Sequence, residues 1–314
     1  MAEMKDRFVR FDWAIKRLLR QKANFGVLEG FLTVFLGEKV TIVDILESES
    51  NQQDEFDKFN RVDIKARNSK GEIIIVEVQN TLEVFYLERI LYGVAKAITE
   101  HISLGDDYGE VKKVYSISVL YFDLGEGDDY LYKGQTSFFG IHTNDELKIT
   151  TRQRDAIVRK APEEIFPTYY LIRVNNFDRV AVSPMEEWMR YLKKGEISAD
   201  AKAPGLQEAR EKLLYYQMDP AERHAYDEHL NAVMIQNDVL GNARAEGLAE
   251  GRAEGRIEGR AEGKAEGRAE GLAEGKTSQQ MLTARTMLSD GMSIDLVAKY
   301  TGLTKSQIEA FAAE

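Results

Sequence analysis

Two short apolar segments, residues 60–67 and 73–79, constrain the fold of this 314-residue chain more than any other feature. The residues between them, Asn68-Ser69-Lys70-Gly71, are typical of a turn, so the two segments predict a β-hairpin. When the numbers of paired residues sum to 140, one face of the hairpin is entirely apolar, with the pairs Val62–Val78, Ile64–Val76 and Ala66–Ile74. A slip of one residue would turn all of these side chains to the other face, so burial of the apolar face selects this register.

The opposite face of the predicted hairpin is polar and sets Asp63 beside Glu77 and Arg61 beside Gln79. Two carboxylates in such positions have Cβ atoms about 5 Å apart and repel each other unless a positive charge compensates. Hard Mg²⁺ binds one or two carboxylates together with waters and phosphate oxygens, so the pair suggests a metal site. Gln79 lies on the same face and could orient a metal-bound water or contact a phosphate. The alternative is an exposed face on which a nearby base, Arg61, Lys65 or Arg67, neutralises the acids.

Composition excludes several classes of function. The chain carries 42 Lys and Arg against 53 Asp and Glu, a net charge of −11, so contact with nucleic acid requires a local basic patch or a metal. The absence of cysteine excludes disulfides, thiolate zinc sites and a cysteine nucleophile. No apolar run approaches the ~18 residues of a membrane span, and the first residues lack the apolar stretch of a signal peptide. We therefore expect a cytoplasmic protein without a membrane partner.

The pattern of residues changes along the chain and predicts four regions. Residues 1–195 mix helical and strand periodicities, which indicates an α/β domain. Residues 196–241 are typical of a charged helical bridge. Residues 242–276 contain eight tandem copies of a unit resembling Ala-Glu-Gly-Arg, and residues 277–314 return to helical periodicity as a small tail.

The tetrapeptide repeat leaves two alternatives open. A four-residue step advances about 400° around an α-helix, so no apolar face persists, and like charges recur at the unfavourable i,i+4 spacing. Each glycine costs about 1 kcal/mol relative to alanine in a helix. The segment is therefore either a flexible linker or frayed helix, or a helix held by packing its Gly/Ala stripe against a second copy of itself.

The tail from Ser293 has the form of a helix-turn-helix, with Gly302 in the turn and Leu303 and Ile308 facing the core. Its candidate second helix carries Lys305 as its only base, whereas a recognition helix makes several base and phosphate contacts. We therefore favour a small helical cap or oligomerisation unit over a DNA-reading module.

Several motifs of the first region, taken in order, resemble the PD-(D/E)xK nuclease fold and, more narrowly, the recombination-promoting nuclease (Rpn) family of PD-(D/E)xK transposase-like proteins. The resemblance covers residues 8–195, and a Glu-Gly repeat followed by a helical tail is also typical of this family. The motifs are Phe11-Asp12-Trp13-Ala14-Ile15-Lys16, Arg61-Val-Asp63, Val76-Glu77-Val78-Gln79, Glu88-Arg89-Ile-Leu-Tyr92-Gly93, and Gly105-Asp-Asp-Tyr108 before the strand from Val114.

The resemblance implies a restriction-endonuclease-like α/β core, a mixed sheet flanked by helices, followed by an all-helical C-terminal extension. It implies that Asp63 and Glu77 bind Mg²⁺ or Mn²⁺, which lowers the pKa of a bound water and stabilises charge on the scissile phosphate. Gln79 stands where many relatives in the superfamily have lysine, although glutamine is usual in the narrower family. Val62 replaces the proline of the motif, another departure from the superfamily pattern.

The resemblance also points to residues outside the hairpin. Asp12 is the candidate for the additional acid that the superfamily often takes from its first helix, and Lys16 lies one turn later on the same face. Lys16, Arg61 and Arg89 are candidates for binding the substrate. The alternatives are an ordinary i,i+4 surface pair for Asp12 and Lys16, and a salt bridge with a nearby acid for Arg89.

These observations predict a Mg²⁺-dependent endonuclease of DNA, linked to recombination or mobile DNA. We expect a homo-oligomer formed through the C-terminal helical region, because cutting both strands requires two sites. The alternative is a catalytically silent nuclease-like module for interaction or self-assembly, with the helical tail as its working part. Transposition is a third interpretation and is disfavoured, because no clear sequence-reading DNA module is present.

Overall fold

The computed structural model describes residues 7–47, 62–153 and 156–312. Arg61, a predicted substrate-binding residue, lies outside these residues. The chain divides into two compact units, the first ending at Val233 and the second beginning at Met234. None of the helices in these ranges combines the length and the apolar character that a membrane span requires.

The described residues form eight strands, β1 (Ile42–Leu46), β2 (Ile64–Asn68), β3 (Ile73–Gln79), β4 (Val114–Leu120), β5 (Leu131–Gly134), β6 (Ile149–Gln153), β7 (Ala156–Lys160) and β8 (Thr168–Arg173). Six of them make one sheet in the order β1-β2-β3-β4-β8-β5, and β6 and β7 form a separate hairpin. β3, β4 and β8 run parallel, whereas β1, β2 and β5 pair antiparallel with their neighbours. The sheet is therefore mixed.

The same residues form eight α-helices, α1 (Phe11–Arg17), α2 (Phe25–Leu36), α3 (Tyr86–Thr99), α4 (Pro184–Lys194), α5 (Leu206–Lys212), α6 (Pro220–Ser289), α7 (Ile294–Thr301) and α8 (Lys305–Ala312). One face of the sheet is covered by α3, whose Val94 and Ala97 pack against Ile73 and Ile75. The main core lies on the other face, where α1, α2, α4, α5 and the beginning of α6 contribute side chains. The predicted architecture, a mixed sheet with flanking helices and a helical C-terminal extension, is confirmed.

The hairpin of β2 and β3 has the predicted register, with Ile64 opposite Val76 and Ala66 opposite Ile74. All four side chains are buried in the main core, which is the reason this register is selected. The turn ends at Gly71, whose φ of 79° lies in the left-handed region that glycine adopts without a steric penalty.

The beginning of β2 differs from the prediction, because the chain bends at Asp63 and regular pairing starts only at Ile64. The backbone amide of Val78 would need a carbonyl partner in a continued ladder. It donates instead to Oδ2 of Asp63, at 2.7 Å. Val62 consequently packs with the side chains under α3 and not opposite Val78 in the main core, as the sequence had predicted.

Residues 196–241, predicted as a helical bridge, contribute to the main core through Leu206, Ala209 and Leu213. α5 approaches α2 so closely that a Cβ atom on Gly30 would lie 2.4 Å from Cα of Gly205. α6 begins at Pro220, a residue that the first position of a helix accommodates, and the first unit includes the first turns of α6 as far as Val233.

In the second unit, α6 continues through all of residues 242–276 as one helix, so the repeat is helical. The end of α6 packs with α7 and α8 around Ala284, Val297, Leu303 and Ile308. Gly302 ends α7 with a φ of 74°, and Leu303 and Ile308 are buried as predicted.

Candidate active site

The candidate site lies at the carboxyl end of β3, on the face of the sheet that α3 covers. Side chains alternate along a strand, so Glu77 and Gln79 share a face with Ile73 and Ile75, which contact α3. Because β3 and β4 are parallel, α3 is the crossover between them and begins close to the end of β3. The site therefore lies between the last residues of β3 and the first turn of α3.

Asp63, Glu77 and Gln79 line one open pocket of about 580 Å³. The structure thus brings together the three residues that the sequence predicted as catalytic. Lys16 and Arg89, two of the predicted substrate-binding residues, line the same pocket.

Asp63 is held in the pocket by one backbone contact and one charge. Its Oδ2 atom accepts the hydrogen bond from the amide of Val78, and its Oδ1 atom lies 3.6 Å from Nζ of Lys16. The Asp63 side chain is 16% exposed and that of Lys16 is 47% exposed, so the lysine reaches the carboxylate from the solvent side.

Glu77 is 8% exposed and forms an ion pair with Arg89 of α3. Burial lowers the pKa of Arg89, and the charge of Asp63 opposes this shift. The charge of Glu77 is thus neutralised by Arg89 and not by Lys65 or Arg67.

The two bases of β2 that the sequence offered as neutralising partners have other contacts. Lys65 pairs with Glu100 at 2.6 Å, and Arg67 pairs with Asp44 at 3.2 Å. The alternative of a salt bridge for Arg89 is what the structure shows.

Glu83, in the loop between β3 and α3, also contacts the site and was not recognised from the sequence. Its Oε1 atom accepts hydrogen bonds from Nε2 of Gln79 at 2.9 Å and from Nη1 of Arg89 at 2.5 Å. Side chains in a loop follow no period, so spacing gave no signal for Glu83.

Two further arginines in and after α1, Arg17 and Arg20, line the pocket beside Lys16. The guanidinium of Arg17 lies over the ring of Trp13, 5.1 Å from its centroid. The basic run of residues 16–20 was the available signal for these side chains. Together the three bases form the local basic patch that an acidic chain needs at a phosphate-binding site.

Asp12, the candidate third acid, is not among the residues that line this pocket. It is fully buried and accepts hydrogen bonds from Nε of Arg10 at 3.0 Å and from Nδ2 of Asn80 at 3.2 Å. Nε2 of His229, from α6, lies 3.0 Å from its Oδ2 atom. Burial raises the pKa of Asp12, but the hydrogen bond to His229 and the charge of Arg10 outweigh burial and hold this pKa well below its usual range. The alternative of a surface pair with Lys16 therefore does not describe Asp12.

The donor atoms of the pocket fit a hard divalent cation. Mg²⁺ takes one or two carboxylates and fills its remaining positions with waters and phosphate oxygens, and the open pocket has room for them. Across residues 7–47, 62–153 and 156–312, no three His, Cys, Asp or Glu side chains cluster in a way that could hold a metal. A cation here would therefore depend on Asp63 and Glu77, supplemented by neutral oxygens.

Two regions of the chain match known protein families. Residues 9–150 match the family described as "PD-(D/E)XK nuclease family transposase". This range includes Asp63, Glu77 and Gln79. Residues 280–312 match the C-terminal HTH domain of the Rpn/YhgA-like nuclease family, a range that includes α7 and α8. No curated protein and no solved structure matches the chain significantly. The resemblance to the Rpn family of PD-(D/E)XK nucleases is therefore confirmed in two regions, the α/β core and the helical tail.

Proposed function

We propose that the chain is an endonuclease that hydrolyses phosphodiester bonds in DNA with a divalent cation, Mg²⁺ or Mn²⁺, bound by Asp63 and Glu77. The observation that carries this proposal is the convergence of two carboxylates, an amide and several bases in one open pocket. A bound cation supplies a water of lowered pKa and offsets the charge that develops on the phosphate.

The bases of the pocket have the role of binding the DNA backbone. Lys16, Arg17 and Arg20 provide positive charge beside the two acids, although the chain as a whole carries −11. Arg89 pairs with Oε1 of Glu77, and a carboxylate that binds a cation can keep such a hydrogen bond. The other N–H groups of the planar guanidinium can hydrogen-bond a phosphate.

The proposal is tested with the full-length chain and supercoiled plasmid, in Mg²⁺ or Mn²⁺ and in EDTA. We expect metal-dependent nicking that is lost in Asp63→Asn and Glu77→Gln. Asp44→Asn is the matched control, because Asp44 is an exposed acid on the neighbouring strand β1. Cleavage that persists in EDTA, or in both site variants, would contradict the proposal.

A silent nuclease-like module is the second candidate function, and one observation favours it. Both acids already have a cationic partner, Lys16 for Asp63 and Arg89 for Glu77, so the cluster is electrostatically balanced without a metal. This candidate predicts that the chain neither cleaves DNA nor releases calorimetric heat with Mn²⁺. The proposed nuclease predicts cleavage of DNA and a heat of Mn²⁺ binding.

We also propose that the chain self-associates through its C-terminal helical region and that its action is linked to recombination or mobile DNA. The first proposal is supported by Leu248, Ile257 and Leu272, apolar side chains that α6 exposes along the repeat. The second rests on the family description alone. Light scattering of the full chain measures the first, and we expect a mass of two or more chains.

A further inference from the structure

Glu83 joins two residues of the pocket through one carboxylate oxygen. Oε1 accepts from the amide nitrogen of Gln79 and from the guanidinium of Arg89. The Glu83 side chain is 40% exposed, which puts it at the rim of the pocket and not in the core. Arg89 therefore anchors Glu83, and Glu83 in turn holds the end of Gln79.

The chemistry of a carboxylate determines which end of the Gln79 amide it can hold. An ionised carboxylate only accepts hydrogen bonds, so the NH₂ group of Gln79 must face Glu83. The carbonyl oxygen of the amide is then turned away from Glu83. A neutral amide in place of Glu83 would not determine which end of the Gln79 amide faces it, because an amide both donates and accepts hydrogen bonds.

This orientation matters for a cation, because Asp63 and Glu77 are the only carboxylates among the described residues that line the pocket. Hard divalent cations accept amide carbonyl oxygens as ligands, whereas an NH₂ group has no lone pair to offer them. A Gln79 held by its nitrogen can therefore serve as a neutral oxygen ligand or accept a hydrogen bond from a metal-bound water.

We propose that Glu83 is a positioning residue of the site, an inference that rests on the proposed nuclease function. It holds Gln79 by the NH₂ group, so that the carbonyl oxygen of Gln79 is available to the cation on Asp63 and Glu77. The pair of Gln79 and Glu83 thus adds a cation-binding oxygen to the pocket.

The test is calorimetric Mn²⁺ binding by the full-length chain without DNA. Glu83→Gln removes the charge and keeps the size, and we expect Mn²⁺ binding to weaken by about tenfold or more, as when outer partners of metal ligands are changed. Glu88→Gln is the matched control, because it removes the same charge from an exposed position on the first turn of α3. We expect it to change Mn²⁺ binding by less than about threefold, because exposed charges are screened.

A double-mutant cycle shows whether Glu83 acts through Gln79. If it does, adding Glu83→Gln to Gln79→Ala weakens Mn²⁺ binding much less than Glu83→Gln does alone. An undiminished loss in the Gln79→Ala background overturns the inference. Urea unfolding of each variant verifies that the affinities are compared between folded proteins.

Failure of the inference and failure of the proposed function give different results. A wild-type chain that neither binds Mn²⁺ nor cleaves DNA overturns both. A wild-type chain that binds Mn²⁺ and cleaves DNA, with equal affinities in Glu83→Gln and Glu88→Gln, overturns only the positioning role.

Discussion

Asp63 serves the sheet and the pocket at the same time, and substitutions can separate these tasks. Asn keeps an oxygen that can accept from the amide of Val78, whereas Ala leaves this amide without its acceptor. We expect Asp63→Ala to lose about 1–3 kcal/mol of stability, the cost of an unpaired buried donor, and Asp63→Asn to lose less than about 1 kcal/mol. Both should lose Mn²⁺ binding. Urea denaturation and calorimetry measure the two effects, and an Asn variant that binds Mn²⁺ like the wild type would remove Asp63 from the metal site.

Some residues of the pocket could be predicted from the sequence and others could not. Glu77 and Gln79 could be predicted to share a face, because side chains alternate along β3. Extending the register of the hairpin placed Asp63 near them, although the bend at Asp63, just before the paired residues of β2, could not be predicted. Glu83 and Arg20 lie outside helices and strands, where no period relates sequence spacing to side-chain direction.

Asp12 was predicted on the same face as Lys16 from helical spacing, but spacing does not say what packs on that face. Its partner His229 comes from α6, 217 residues later in the sequence. A contact of this range depends on the tertiary fold, which no local pattern contains.

The buried charge of Asp12 makes stability depend on pH. Because the pKa of Asp12 is lowered in the folded chain, its contribution is complete above the unfolded pKa and is lost as the pH falls through the folded pKa. We expect Asp12→Asn to lose about 3 kcal/mol at pH 7, since Arg10 is left with an uncompensated charge. The difference from wild type should shrink as the pH falls below about 4.

Denaturation measured across this pH range tests the expectation, with Asp44→Asn as the control because Asp44 forms an exposed ion pair. Parallel stability curves for wild type and Asp12→Asn would show that the Asp12 carboxylate does not drive the acid sensitivity.

Among the helices, the contact of α2 with α5 depends on Gly30. Alanine is normally better than glycine in a helix by about 1 kcal/mol, but here the added Cβ would meet the backbone of Gly205 at 2.4 Å. Backbone cannot rotate away as a side chain can, so we expect Gly30→Ala to destabilise the first unit by about 2 kcal/mol or more. Gly37→Ala is the comparison, because its Cβ meets nothing within 4 Å and only its φ of 74° carries a cost. A gain in the urea midpoint of Gly30→Ala would show that α5 can shift.

The first residue of a helix or strand could be predicted where local sequence alone determines it. The start of α4 could be predicted from local spacing, since Ser183 and Glu186 form a capping box and Pro184 occupies the first helical position. The start of β2 could not, because a side chain, the carboxylate of Asp63, replaces a backbone partner there. Strand patterns contain no information on such a replacement.

At the scale of the whole molecule, the glycine-rich repeat is helical although glycine has a low helix propensity. Among the residues that the structure describes, nothing lies within 4 Å of a Cβ atom added to the glycines of the repeat, so packing by these residues does not compensate for the low helix propensity of glycine. A second copy that packs along the glycines would supply this compensation, which agrees with the proposed self-association.

Alanine substitutions in the repeat distinguish a solitary helix from a self-associating one, because the two respond in opposite ways. Gly255→Ala, Gly259→Ala and Gly263→Ala together raise helix propensity by about 1 kcal/mol each, and they also fill the surface on which a second copy would pack closely. We expect the mass by light scattering to fall towards that of a single chain. Gly241→Ala is the control, because it lies on α6 before the repeat and its Cβ also meets nothing within 4 Å. An unchanged mass with a higher melting temperature of the helix would mean that α6 is a spacer and that self-association, if it occurs, uses another surface.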